Sequence, residues 1–201
     1  MLVDINLGPK FSRENPLNML NVFFICRNSS PILRLKMSDV VKILEDDGVG
    51  LLRDGCHKKE PLWIVFVMSG TINLTSTLMV LSFKMIDGRG QGVKITDKGL
   101  RLEKSEHVII CNLQFEGGDK ENVDAIQIKS KSTNIWIVRW NLRNYADNLI
   151  DVSHESTNIT ISSKCCFEMH DKTMLIGRSP DDIGDRSIAV TIHCCFFDST
   201  I

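Results

Sequence analysis

No apolar run in the sequence reaches the roughly 18 residues that a membrane-crossing helix requires, so no membrane contact is expected. Cys-x-x-Cys pairs are absent too. The seven cysteines are Cys26, Cys56, Cys111, Cys165, Cys166, Cys194 and Cys195, and their spacing argues against a zinc ribbon or a thioredoxin-type centre. Free cysteine packs as a small hydrophobe, which makes buried core residues the first expectation and disulfides the second. The two CC doublets fall in runs that read as apolar strands. Neither sign of charge prevails: 24 basic and 25 acidic residues give a formal net charge of -1, so nothing global recruits nucleic acid and an anionic partner needs a local site. The opening MLVDINLGPKFSREN lacks a basic stretch followed by an apolar one, so no secretory signal is visible. From Gly50 onward hairpin dipeptides are scarce, with Asp54-Gly55 and Asp87-Gly88 the two Asp-Gly cases and no Asn-Gly.

What is present is enough for one domain: 201 residues, 43% of them hydrophobic. Residues 1–45 mix polar and apolar positions until PILRLKMSDVVKILEDDG, where Leu33, Met37, Val40, Val41 and Leu44 predict a short amphipathic helix. From Pro61 onward short β-branched runs alternate with Gly, Asn, Asp and Ser, as in WIVFVMSGTINL and KMIDGRGQGVKIT. The expected organisation is a divergent segment over 1–45 and an all-β domain over 46–201.

The β part repeats itself. HVIICNLQF at His107, NIWIVRWNL at Asn134, NITISSKCCF at Asn158 and AVTIHCCFF at Ala189 each alternate two apolar residues (Val108 and Ile110, Ile135 and Ile137, Ile159 and Ile161, Val190 and Ile192). Another apolar residue follows five positions later, at Phe115, Leu142, Cys166 and Phe197. A second series lies between them: AIQIK at Ala125, LIDVS at Leu149 and MLIGR at Met174. Two interleaved strand series with one common step of 24 to 31 residues are what a coiling chain produces, each coil stacking its strands on those of the next. An antiparallel sandwich with evenly spaced strands is the alternative, and the shortage of hairpin turns counts against it.

Three acids interrupt this pattern. In LIDVS, Asp151 alternates with Ile150 and Val152 and so points away from the core. Asp147 lies in the polar turn NYADN, and Asp124 stands at the start of the corresponding strand one coil earlier. Coils about 4.8 Å apart bring the three carboxylates onto one patch, where mutual repulsion favours a cation. Oxygen-only ligands suit calcium better than zinc. Solvated turn residues paired with Arg139 or Arg143 are the competing reading, and the residues alone leave both open.

Taken together, WIVFVMSGTINL, IDGRGQGVKIT, GLRLEKSEHVIICNLQFEGG, VDAIQIKSKSTNIWI, LRNYADNLIDV, STNITISSKCCF, HDKTMLIGRSPDDIGDR and VTIHCCFFDST resemble the plant pectate lyases of polysaccharide lyase family 1, from about Gly50 to the end. The resemblance implies a right-handed single-stranded parallel β-helix. It also implies calcium-dependent β-elimination of de-esterified homogalacturonan (polygalacturonate), an extracellular or cell-wall location and a monomer. Carried over by motif, Asp124, Asp147 and Asp151 match the family's calcium ligands, and Lys172 in HDKTMLIG matches a lysine that faces the substrate uronate. No catalytic residue carries over: the arginine that serves the family as base belongs to an Arg-x-Pro-Arg-x-Arg segment following the match to CCFFDST, and this sequence stops at Ile201 before it.

Several positions depart from the family pattern. Asn122 replaces an acid, and Val138 replaces the usual Asp of the Trp-Ile-Asp segment, an apolar group where a polar one is expected beside the groove. Asn148 replaces a glycine where a left-handed backbone is expected. Arg178 stands where a small residue or histidine is usual. His193, between Ile192 and Cys194, is a poor substitute base because its strand reads as core or an outer sheet face. A catalytically inactive, truncated β-helix fragment that at most binds calcium and pectate is therefore the alternative function. A pectin methylesterase or a polygalacturonase on the same fold fits less well, since a hydrolase needs a different acid pair.

Overall fold

The computed structural model describes residues 51–66, 68–117, 123–163, 165–168 and 172–197. The helix expected over Leu33 to Leu44, and Asn122, lie outside the described residues. A short helix, α1 (Leu52–His57), packs its buried Leu52 and Cys56 against the first coil. Seventeen strands follow, numbered in chain order and divided among three parallel sheets. Sheet I holds β1 (Leu62–Val65), β4 (Lys84–Asp87), β7 (Glu106–Cys111), β10 (Thr133–Val138), β13 (Thr157–Ser162) and β16 (Val190–His193). Sheet II holds β2 (Gly70–Asn73), β5 (Val93–Asp97), β8 (Gln114–Gly117), β11 (Asn141–Arg143), β14 (Cys166–Glu168) and β17 (Phe196–Phe197). Sheet III holds β3 (Leu78–Met79), β6 (Leu100–Glu103), β9 (Ile126–Lys129), β12 (Ile150–Val152) and β15 (Met174–Ile176). Successive strands go to different sheets, and every third strand returns beside its predecessor. The result is a right-handed parallel β-helix rather than a sandwich.

Stacking in register turns the sequence repeat into ladders. Ile64, Ile86, Ile110, Ile137, Ile161 and Ile192 form one column through all of sheet I, buried except at Ile192. In sheet II the inward column runs Ile72, Ile95, Phe115, Leu142, Phe167 and Phe197, with Phe167 and Phe197 stacked at 4.7 Å. Phe167, not Cys166, therefore takes the core position in its coil, because the corner after β13 contains one more residue than its neighbours. A similar one-residue offset places Met174 beside Ile150 rather than beside Leu149. The CC doublets also lie at corners: Cys165 precedes β14, and Cys194 and Cys195 sit between β16 and β17.

Those corners explain why hairpin dipeptides are scarce. Asn112, Arg139, Ser163 and Cys194 occupy equivalent corner positions in successive coils, all with φ between 53° and 66°. His107, Asn134 and Asn158 form a second such column at φ 55–56°. One left-handed residue turns the chain from one sheet to the next, and asparagine tolerates that conformation better than most non-glycine residues. Gly99 meets a different demand. A Cβ there would collide with the backbone oxygens of Asp124 and Ala125, so only glycine lets the coil carrying Asp124 settle onto the one before it.

Val138 lies on the outer face of sheet I, in a row with Asp87, Cys111, Ser162 and His193. The three aspartates belong to sheet III and the segments leading into it, so the apolar substitution at Val138 does not touch their groove. The carboxylate of the row is Asp87, 3% exposed and held by Arg89 at 2.6 Å, by the Arg89 backbone N–H at 3.0 Å and by the Cys111 thiol at 3.3 Å. Burial alone would raise the Asp87 carboxyl; the hydrogen bonds from Arg89 and Cys111 and the Arg89 charge outweigh it and leave the group below its usual range. Burial, reinforced by the Asp87 charge, pushes the Cys111 thiol up to about 12. A carboxyl depressed in the folded state adds stability that is complete above its unfolded value and disappears as pH falls through the folded one. Acid titration of unfolding is therefore expected to show a loss beginning near pH 4 that flattens in Asp87→Asn, measured as Tm against pH.

Candidate functional site

Sheet III carries its polar residues on the outward face. Arg101, Gln127, Asp151 and Leu175 stand in one register row across β6, β9, β12 and β15. Two residues further along each strand come Glu103 and Lys129. Alternation puts Ile126, Ile128, Ile150 and Val152 inside and leaves these side chains outside.

Asp151 is turned away from the apolar interior yet only 5% exposed, because Lys129 lies over it with Nζ 2.8 Å from Oδ2, while the Ser153 hydroxyl donates to Oδ1 at 2.9 Å. The same hydroxyl oxygen lies 3.0 Å from Nδ1 of His154, whose Nε2 is 3.0 Å from Nη1 of Arg178. Asp124 precedes β9 and is 6% exposed. Its Oδ1 accepts the Asn148 backbone N–H at 2.8 Å and the Asn148 side-chain amide at 3.0 Å, and its Oδ2 accepts from Gln127 Nε2 at 2.8 Å. Asn148 is not in the left-handed region expected of the glycine it replaces; both its nitrogens serve instead to anchor Asp124. Asp147 sits beside Val123 on the neighbouring coil, with its N–H donating to Val123 O, and its Oδ1 faces Lys172 Nζ at 3.4 Å.

The coil stacking thus brings Asp124 next to the Asp147–Asn148 turn and Lys172 next to Asp147, with Asp151 on the following strand. Neither arginine considered as a partner is involved: Arg139 donates to Asn112 and Arg143 to Glu116. The partners are Lys129, Lys172, Asn148, Gln127 and Ser153. Lys129 and Gln127 could have been found from IQIK, since both alternate with the inward isoleucines and Gln127 falls in register with Asp151. Among the described residues no three His, Cys, Asp or Glu side chains converge on one point as a metal cage. By donor chemistry the three carboxylates suit a hard cation, but each one already faces a nitrogen donor of this chain. His193 is on the outer face of sheet I, with its Nε2 3.6 Å from Cys194 Sγ, and belongs to a different face of the molecule.

Comparison with known sequences supplies the deciding observation: the sequence profile of the family described as pectate lyase matches residues 73–200. The chain belongs to the pectate lyase family. A pectate lyase from Nicotiana tabacum is 34% identical over 165 residues, covering 73% of this chain and 41% of that protein. Pectate lyase 4 of Ambrosia artemisiifolia is 33% identical over 180 residues, covering 78% and 45%. Among solved structures, that of Jun a 1, the major allergen from cedar pollen, superposes with a TM-score of 0.66 at 31% identity over 75% of this chain and 49% of its own. A pectate lyase from Paenibacillus superposes with a TM-score of 0.57 at 14% identity, which supports the β-helix fold alone. The chain spans less than half the length of the Nicotiana, Ambrosia and cedar pollen relatives it matches. No helix among the described residues of this pectate lyase family member is long and apolar enough to cross a membrane.

Proposed function

We propose a pectate lyase-like function, in which the outward face of sheet III binds de-esterified homogalacturonan and calcium for cleavage of the polymer by β-elimination. The supporting observation is the approach of Lys172 to Asp147, 3.4 Å apart, on the coil face that also presents Asp124 and Asp151 in a pectate lyase family chain. Lys172 is the most exposed of these groups, its side chain 64% accessible, and an ammonium there can pair with a uronate carboxylate. Calcium bound there would supply a Lewis acid that draws charge from that carboxylate and favours removal of the neighbouring C5 proton. Asp151, Asp147 and Asp124 are the groups that would hold the ion. Lys129 and Lys172 must yield their carboxylates for it, so calcium binding competes with two internal ion pairs. Asn148 and Gln127 keep Asp124 oriented meanwhile. Metal and substrate contacts are the part of the reaction assigned to these residues. A cell-wall location follows from a pectic substrate.

Polygalacturonate offered with calcium, and again with a chelator, distinguishes the readings through the ultraviolet absorbance of unsaturated product. Calcium-dependent polymer binding is expected from the residues assigned here; unsaturated product in addition marks a lyase, binding without product a binding module, and the absence of both overturns the proposal. Lys172→Ala is expected to weaken polymer binding about 10-fold, the order of one charge-assisted hydrogen bond. An unchanged affinity in that variant would remove Lys172 from the substrate contact.

A further inference from the structure

The corner between β13 and β14, and its counterpart one coil later, bring two thiols together that the functional reading does not use. Cys166 pairs with Phe196 in register, and the Phe196 N–H donates to Cys165 O at 2.7 Å, so Cys165 and Cys195 are direct neighbours on adjacent coils. Parallel strands about 4.8 Å apart put their Cα atoms inside the roughly 4.4–6.8 Å window that a disulfide spans. Both side chains run inward: Cys165 is fully buried and Cys195 packs against the core. Their sulfurs approach consecutive carbonyls of β13, Cys165 Sγ at 3.3 Å from Ser162 O and Cys195 Sγ at 3.5 Å from Ile161 O.

The other described thiols do not compete. Cys194 occupies the left-handed corner position and turns outward beside His193. Cys166 begins β14 on its outward phase, between the inward Cys165 and Phe167. Cys56 packs in α1, and Cys111 is bound to Asp87 on sheet I.

We infer that Cys165 and Cys195 form a disulfide when the protein meets a small-molecule disulfide oxidant. One thiolate attacks the oxidant's S–S bond and expels one thiol; the second attacks the resulting mixed disulfide and expels the other. The two cysteines together lose two electrons and two protons, and the oxidant is reduced to two thiols. Burial raises both thiols, Cys165 to about 12, and the more accessible Cys195 is the one that attacks first. The bond closes one complete coil into a covalent ring that contains β14, β15, β16 and Lys172. This coil is where the inward ladders become exposed, Ile176 at 47%, Ile192 at 41% and Phe197 at 47%, so the link acts where fraying costs least. Its stabilisation comes from the loop of about 30 residues that it closes in the unfolded chain.

The full chain is incubated with oxidised glutathione at about pH 8, alkylated, and mapped by mass spectrometry without reduction. A cross-link between the peptides carrying Cys165 and Cys195 is expected, retained in Cys194→Ser and in Cys166→Ser and lost in Cys195→Ser. Oxidation is expected to raise Tm by about 5–10 °C in the wild type and in both retaining variants, and not in Cys195→Ser. A link through Cys166 or Cys194, a glutathione adduct on Cys195 that never resolves, or a link without a Tm gain would overturn the inference.

Discussion

Replacing Trp140 with alanine lowers the unfolding free energy by about 3–5 kcal/mol, the range for emptying an aromatic site in a packed interior. Trp140 is 1% exposed at the corner between sheets I and II and stacks on Phe115 with ring centroids 4.7 Å apart. Its indole N–H donates to Ile110 O at 2.9 Å, tying one coil to the previous one through the core. A β-helix coil touches only the coils above and below, so the cavity cannot be relieved by rearrangement elsewhere. Trp140→Phe keeps most of the stack and loses the donor, and is expected to cost about 1–2 kcal/mol. Urea unfolding measures both. An alanine variant within about 1 kcal/mol of wild type would show that this corner collapses around the missing ring.

Asp151→Ala and Asp151→Asn abolish the calcium-induced rise in melting temperature, which in the wild type is expected to reach about 5–10 °C at calcium near 100 times its dissociation constant. The two variants separate metal binding from architecture. Alanine removes the acceptor of the Ser153 hydroxyl and strands Lys129, whose side chain is only 19% exposed, so a loss of about 2 kcal/mol in the absence of calcium is expected. Asparagine keeps one acceptor oxygen for the Lys129 ammonium and turns its amide N–H toward the Ser153 hydroxyl oxygen, which can accept, so part of that loss is avoided. Scanning calorimetry with and without calcium reads both effects. A calcium shift that survives in Asp151→Asn removes this residue from the metal site, whatever the stability of the alanine variant.

The architecture is legible in the sequence because a parallel β-helix writes its register into composition. Isoleucines 22 to 31 residues apart had to stack, and the column from Ile64 to Ile192 is the consequence. Corner length was less legible. One additional residue between Ile161 and the next strand moves Phe167 into the core in place of Cys166, and apolarity does not distinguish the two. Val138 shows a second gap: the family pattern suggested a place beside the groove, whereas the coil puts it on sheet I, a different face from Asp151, 13 residues on.

The amino-acid sequence by itself determined the coil period, most of the inward ladders and family membership, and it singled out the three aspartates and Lys172 as candidates. These rest on alternation and on repeated motifs, which are local and survive without coordinates. Tertiary structure decided the pairing: Lys129 over Asp151, Asn148 and Gln127 around Asp124, Lys172 against Asp147, and Cys165 beside Cys195. Each pair joins residues on neighbouring coils or across a corner, and its geometry depends on how many residues each corner takes to turn the chain. That number follows from where a left-handed residue falls and how tightly one coil settles onto the last, so only the folded stack could specify which side chains meet.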